Sequence, residues 1–311
     1  MKNTVGIDIS KDWLDAHALA SCKHMRFANS SAGHHALVKW VGTQRCDLVV
    51  FEASGAYHRQ VEAALAAQEI LFVKVNPRQA RRFAEAVGKL AKTDRVDAAM
   101  LARMGAVLSL EAAPPCDQKV YDLKELLVAR RALIKDQTAA RSRMKICMQA
   151  ILKRQIAARM KQIEKQLAEL QKAILEAIHA DDDLAHRFDL LKSIPGIGEI
   201  TAMAILIEMP ELGRLNAKQI ASLAGLAPAT RQSGKWQGKE CIRGGRSALR
   251  QAIFLPALVA IRYNGEFRAK YNALIAAGKA PKVAVTAIMR KIIVLANALI
   301  RDRRKWAPNP A

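Results

Sequence analysis

Four carboxylates stand out by where they fall. Asp8 lies between Ile7 and Ile9 in TVGIDIS, a β-rich stretch, and Glu52 closes the apolar run LVVFE. Asp94 and Asp97 sit three positions apart in KTDRVDA, followed at helical spacing by Ala98, Leu101 and Met104. On a helix, positions i and i+3 share one face, so this pair presents together. In an alternating strand, Ile7 and Ile9 point to the face opposite Asp8. The first strand and the strand after the first crossover helix are common neighbours in a mixed α/β sheet, which would set Asp8 beside Glu52. Four converging carboxylates cannot all stay ionised without a cation, and Mg²⁺ or Mn²⁺, hard and oxygen-seeking, is the natural one. Two such ions would clamp the attacking and leaving oxygens of a phosphodiester displacement. Each residue also has a plainer role: Asp8 capping a turn, Glu52 pairing with Arg59 or Lys74, Asp94 as N-cap after Thr93, Asp97 balancing the helix dipole. One at a time the plainer roles are the better reading; on this layout, jointly, the metal reading wins.

A serine is the second candidate. Ser233, in RQSGKWQGK, precedes Gly234 and is flanked by Arg231 and Lys235, which could stabilise a phosphate and its developing charge. No histidine lies near it in sequence, and a serine hydroxyl is a weak nucleophile unless a base or metal activates it. The metal of the tetrad could do so if the two domains meet, within one chain or across a dimer. From the residues alone, a hydrogen bond to phosphate is the better reading of Ser233. Lys239, Arg243, Arg246 and Arg250 are expected to hold backbone phosphates or RNA, as are Arg231 and Lys235. Ser10 and Ser54 read as structural.

The elements that must position these groups fall into three segments. Residues 1–112 alternate strand and helix signals: strands at 4–10, 13–19 and 24–29, a helix over 34–42, a buried strand at 47–54, a helix over 56–69, a strand at 70–76, and a helix opened by Pro77. Three meander strands followed by β-α-β units make an α/β layout with a mixed sheet. Between Pro115 and Pro195 there is no Gly or Pro, and Met160, Ile163, Leu167, Leu170 and Ile174 form a heptad-like seam. A long helical hairpin or coiled coil is expected over 117–184, and its 12 basic against 3 acidic residues over 124–165 make it a nucleic-acid-contacting arm rather than a merely solvated face. The third segment, 185–305 with a tail at 306–311, is expected to be all-α. It opens with LKSIPGIGEITAMAILIEM, which has the look of a helix-hairpin-helix element. There Gly196 and Gly198 let the backbone approach a phosphate, aided by the following helix N-terminus.

Formal net charge is +22, and 19 basic against 6 acidic residues fall in 195–311, so a polyanion, most simply nucleic acid, is the expected partner. Five cysteines without a C-x-x-C pair suggest free thiols in a reducing cytoplasm. Met1 runs directly into strand-like sequence, so no signal peptide is expected. Apolar runs are broken by charge within about a dozen residues, too short for a membrane span.

GIDIS, FEASGAY, KTDRVDA followed by LA, and the later GLAP, SGK and GGRSALR resemble, in order and spacing, the DEDD-type transposases of bacterial insertion sequences, the IS one-ten family. The resemblance covers nearly the whole chain. It implies an RNase H-like (RuvC-like) domain, a coiled coil and a C-terminal transposase domain. It makes Asp8, Glu52, Asp94 and Asp97 the metal-binding tetrad and Ser233 the nucleophile of a covalent phosphoserine–DNA intermediate. It further implies double-stranded DNA, donor and target, as substrate, guidance by a structured non-coding bridge RNA, dimers pairing into tetramers, and a cytoplasmic, nucleoid-associated location. The competing readings are a metal-only structure-specific endonuclease such as a junction resolvase, a non-enzymatic nucleic-acid-binding scaffold, and a sugar-kinase-like ATPase, for which no second Gly-rich phosphate loop is present.

Overall fold

Three short strands in a meander, and two more each reached through a helix, build a five-stranded sheet from the first 75 positions. The computed structural model describes residues 2–53, 55, 57–89, 93–112, 118–230, 232–234, 236–238 and 240–308. The chain forms two units, Met1–Cys116 and Asp117–Ala311.

The first unit runs β1 (Thr4–Ile9), β2 (Trp13–Ala18), β3 (His24–Ala28), α1 (Ser31–Thr43), β4 (Leu48–Glu52), α2 (Arg59–Ala67), β5 (Phe72–Val75), α3 (Pro77–Ala86) and α4 (Asp94–Val107). Strand order is β3-β2-β1-β4-β5. β2 is antiparallel to β1 and β3, while β1, β4 and β5 are parallel, the mixed sheet expected from the meander and its β-α-β units. The pleat sorts side chains onto two faces. Val5, Ile7, Leu14, Val49, Phe51 and Phe72 pack with Leu37 and Val41 of α1 and with Val61 and Leu65 of α2. Leu48, Val50 and Val75 pack on the other face with Ala80 of α3 and with Leu101 and Met104 of α4. Helix ends follow local chemistry. Ser30, Asn76 and Thr93 accept hydrogen bonds from the first-turn N–H groups of Gly33, Arg78 and Val96, which is why α1 starts ahead of the expected residue 34.

α4 lies unusually close to the sheet. A Cβ on Gly6 would collide with the Ala98 carbonyl oxygen and the Ala102 amide, and one on Gly105 with the Val50 side chain. The Thr4 hydroxyl donates to the Ala102 carbonyl at 2.7 Å, sealing the contact from the β1 end.

The second unit begins with two long helices, α5 (Gln118–Ile146) and α6 (Ala150–His179), which pack on each other. Of the seam residues, Ile163 and Ile174 are buried, and Met160, Leu167 and Leu170 are half-buried. The three aspartates at 181–183 end the pair: Asp181 caps α7 (Asp182–Lys192) by accepting from the Leu184 N–H, and the next two lie in its first turn. α8 (Glu199–Glu208), α9 (Ala217–Leu223), α10 (Ser247–Tyr263), α11 (Gly265–Ala276) and α12 (Pro281–Arg301) complete a core that also takes in Leu123, Leu127, Ile174 and Ile178 from the long pair. Trp306, expected in the tail, packs against this core, and its N–H donates to Ser193 Oγ at 2.9 Å.

Two expectations need correction. The C-terminal region is mostly helical but not all-α: β6 (Pro228–Ala229) pairs with β9 (Cys241–Ile242) and β7 (Gln232–Ser233) with β8 (Trp236–Gln237), both antiparallel. Gly234 supplies the positive φ (56°) that a two-residue hairpin turn requires. Second, α12 is long and apolar enough to cross a membrane by length and composition. Its apolar content is accounted for by the core, which takes Ile288, Ile292, Ala296 and Leu299.

Gly6→Ala should destabilise the first unit by about 2–4 kcal/mol, because the colliding atoms are backbone and cannot rotate away. Gly42→Ala, where an added Cβ meets nothing within 4 Å, should be neutral or stabilising. Urea unfolding followed by circular dichroism checks both.

Candidate active site

Register carries the carboxylates to one face of the sheet. Asp8 pairs with Asp15 on β2, which pairs with Arg26 on β3, so all three side chains share a face. On the other side of β1 the parallel pairing Ile7 with Phe51 continues to Asp8 and Glu52, the last residue of β4. α4 covers this same face. Its contacts pass from Ala102 beside Thr4 to Ala98 beside Gly6, so helix and strand run in opposite directions. One further turn along α4 brings Asp94 and Asp97 to the level of Asp8.

Electrostatics records the convergence. Burial, followed by the charges of Asp94, Asp97, Glu52 and Asp15, raises the Asp8 carboxyl from 3.8 to about 6. Asp8 and Asp97 are half-buried, and Asp94 is exposed. Among the described residues, no three acidic, histidine or cysteine side chains close into a preformed metal cage. The donor set, all carboxylate oxygens, nevertheless suits a hard divalent ion.

The plainer roles fare differently. Turn capping beside Asp8 belongs to Ser10, whose Oγ accepts from the Trp13 N–H at 3.1 Å. Lys74 donates to both Glu62 oxygens, at 3.0 and 2.8 Å. The N-cap of α4 is Thr93, and Asp94 and Asp97 both lie in the first turn, where their charge also suits the helix dipole.

Sequence reasoning passed over Asp15 and Arg26. Asp15 is only 2% exposed, and its charge is met by Arg26, whose Nε lies 3.1 Å from each carboxylate oxygen, and by His24 Nε2 at 3.0 Å. Arg26 Nη2 also reaches Asp94 Oδ2 at 3.2 Å. A signal was available: Asp15, His17, His24 and Arg26 alternate with apolar residues on two adjacent strands, a polar stripe beside Asp8. His17 is held below its usual pKa by burial, then by the nearby charges of His24 and Arg95.

In the second unit, Ser233 occupies the strand position just before the hairpin turn and is exposed. The base of this hairpin is locked by glycines. A Cβ on Gly245 would strike the backbone of Gly225, and one on Gly225 the Gly244 carbonyl. Arg250 donates to the Gly244 carbonyl at 2.5 Å and the Ala224 carbonyl at 3.4 Å. Arg246 donates to the Glu208 carbonyl and grips the Glu211 carboxylate at 2.7 and 2.6 Å. Burial opposes ionisation of Glu211, but this grip leaves its carboxyl below the usual range. Arg246 and Arg250 thus hold the fold of the hairpin base. Arg243 is exposed. Arg231, Lys235 and Lys239 lie outside the described residues, as does Ser54. Gly196 (φ 86°) lets the turn between α7 and α8 approach α10, since a Cβ there would stand 2.6 Å from the Pro256 carbonyl. Gly198 caps α8 with open space about it.

Comparison with known proteins agrees over both units. A family model described as "Transposase", for the DEDD transposases of IS110, matches residues 5–154, and one described as "Transposase IS116/IS110/IS902 family" matches 188–272. The pilin gene-inverting proteins of Moraxella bovis and Moraxella lacunata are each 30% identical over 320 residues, covering 98% of this chain and 98% of their own. An insertion element IS110 protein of Streptomyces coelicolor is 34% identical over 115 residues, 36% of this chain and 28% of that one.

The raised Asp8 pKa sets a pH test. The folded protein binds a proton that the unfolded chain has already lost between pH 3.8 and about 6, so Asp8 supports stability below that window and costs it above. Asp8→Asn should therefore stabilise the metal-free protein at pH 8 by about 1–2 kcal/mol, discounted for partial exposure, and bring little at pH 3.5. Thermal unfolding in chelator at the two pH values measures the difference.

Proposed function

Because this chain belongs to the IS110 family of transposases, enzymes of DNA strand transfer, we propose that it cuts and rejoins DNA with a metal-binding carboxylate tetrad and a serine nucleophile. The tetrad is Asp8, Glu52, Asp94 and Asp97. The observation that carries it is geometric: Asp8 and Glu52 lie on adjacent parallel strands beneath the first turn of α4, which bears Asp94 and Asp97, and the three neighbours help raise the Asp8 pKa. The strand order β3-β2-β1-β4-β5, with only β2 antiparallel, supports an RNase H-like reading of the unit that holds them. Mg²⁺ or Mn²⁺ bound there would stabilise charge on phosphate oxygens and on the oxygens that attack and leave. The protein's own contribution is to fix four acidic groups on a rigid sheet-and-helix frame and to tolerate their repulsion until a cation arrives.

Ser233 is the nucleophile in this proposal. Its position at an exposed hairpin tip lets a DNA phosphate reach Oγ without displacing core. Attack on phosphorus forms a phosphoserine ester and releases one strand hydroxyl. Attack by a hydroxyl of another strand reverses the step and frees the serine, so bond energy is kept for rejoining. Two full-length relatives named for inverting a pilin gene fit such conservative exchange. Phosphate contacts are assigned to Arg243 and Gly198, and to Arg231, Lys235 and Lys239. Arg246, Arg250 and Gly196 are assigned to the scaffold instead. The turn between α7 and α8 is read as a helix-hairpin-helix element and α5–α6 as a basic coiled-coil arm. Donor and target duplexes, a structured guide RNA and a dimer that pairs into a tetramer complete the proposal.

Ser233→Ala should abolish recombination between donor and target plasmids, by at least about 10³-fold, together with detergent-resistant protein–DNA adducts, while DNA binding persists. Adducts surviving in that variant would overturn the serine role. Undiminished cutting without any adduct would favour the metal-only endonuclease. Separately, Arg243→Gln should lower the salt dependence of DNA binding by about one phosphate contact, a log–log slope change near 0.9. Arg246→Gln should lower the melting temperature and leave that slope alone.

A further inference from the structure

We propose that Arg26 is a resident counter-ion of the carboxylate site, a positioning residue that holds Asp94 while no divalent ion is bound and yields it when one binds. The inference rests on the tetrad reading above and extends it to a residue outside the tetrad.

Arg26 is fixed from several sides. It stands opposite Asp15 in the β2–β3 register. Its Nε lies 3.1 Å from both Asp15 oxygens, and its Nη2 is 2.9 Å from Oδ2. The guanidinium also lies 5.8 Å from the centre of the Trp13 ring. Asp15 is buried and takes a second partner, His24, so its charge is already met and it has little to offer a metal. Its work is to aim the guanidinium. A planar fork is suited to this, because its Nε–Nη2 edge lies along Asp15 while Nη2, with two N–H groups, can donate outward as well. That same nitrogen meets Asp94 Oδ2 at 3.2 Å.

The two contacts differ in strength. Asp15 has 3% of its side chain exposed, whereas Asp94 has 58% and Arg26 49%. The inner contact is sheltered and made by two nitrogens; the outer is single and solvent-screened, so it is the one that gives way. Around the site stand Asp8, Glu52, Asp94, Asp97 and Asp15, with the Arg26 cation and the His24 imidazole on Asp15 and with Arg95 near His17. Of the outward carboxylates, Asp94 is the one this guanidinium touches, and it can draw that one aside. A dication that takes Asp94 through Oδ2 competes with this contact, and through either oxygen it bears a fixed positive charge beside it. Arg26 therefore weakens metal binding while steadying the metal-free protein.

The test is calorimetric titration of the full-length chain with Mn²⁺ alone, at fixed ionic strength, beside thermal unfolding in chelator. Arg26→Gln should bind Mn²⁺ about three- to ten-fold more tightly than the parent, yet melt at a lower temperature when metal-free. A merely structural role would lower both stability and affinity. Arg26→Lys keeps a charge near Asp15 but loses the two-sided reach; it should shift affinity the same way by less, and it serves where the glutamine variant does not fold. Unchanged or weaker Mn²⁺ binding in these variants overturns the inference. Asp8→Asn separates the two ideas. If the parent binds Mn²⁺ and Asp8→Asn does not, the tetrad stands whatever Arg26 does. If the parent binds no Mn²⁺, the tetrad reading fails and the role of Arg26 fails with it.

Discussion

The first unit depends on the repulsion between carboxylates that its own packing forces together. α4 can carry Asp94 and Asp97 to the level of Asp8 only because it lies almost on the backbone of β1, and that approach exists because positions 6 and 105 are glycine. The core beneath, Leu48, Val50, Leu101 and Met104, supplies the burial that holds the helix down. The same burial strips water from Asp8 and raises its pKa to about 6. Stability and the strained electrostatics of the site thus have one origin, and a frame optimised for stability alone would not place acids there.

The polar stripe beside Asp8 shows how that cost is contained. Asp15 is as deeply placed as a core residue, yet its carboxylate is met twice within the sheet, by the Arg26 cation and by a hydrogen bond with His24. Asp8 has no such matching from its immediate cross-strand neighbour, which is itself acidic. Adjacent strands therefore hold one neutralised carboxylate and one held in tension, and Arg26 spans the interval between the first and Asp94.

In the second unit a different economy applies. Among the described residues, the hairpin bearing Ser233 has two short ladders, too few to stand alone. Its base is braced by backbone-to-backbone contact at Gly225 and Gly245, by Arg250 on two carbonyls, and by Arg246 on Glu211. Basic residues that look alike in sequence thus divide into braces and exposed charges. Charge count could not separate them, because an arginine facing inward toward carbonyls and one facing solvent carry the same letter.

The sequence by itself determined the α/β order of the first unit and the helical pairing of Asp94 with Asp97, since periodicity and spacing are local properties of the chain. It also determined the basic excess, which needs only counting. It did not determine that Asp15 is buried and paired, that Arg26 reaches Asp94, that Thr93 rather than Asp94 caps α4, or that the Ser233 segment forms a hairpin. Those were decided by tertiary structure, because each depends on which backbones approach closely enough to desolvate a charge or meet a donor. Such distances are set between elements far apart in the chain, and no local pattern encodes them.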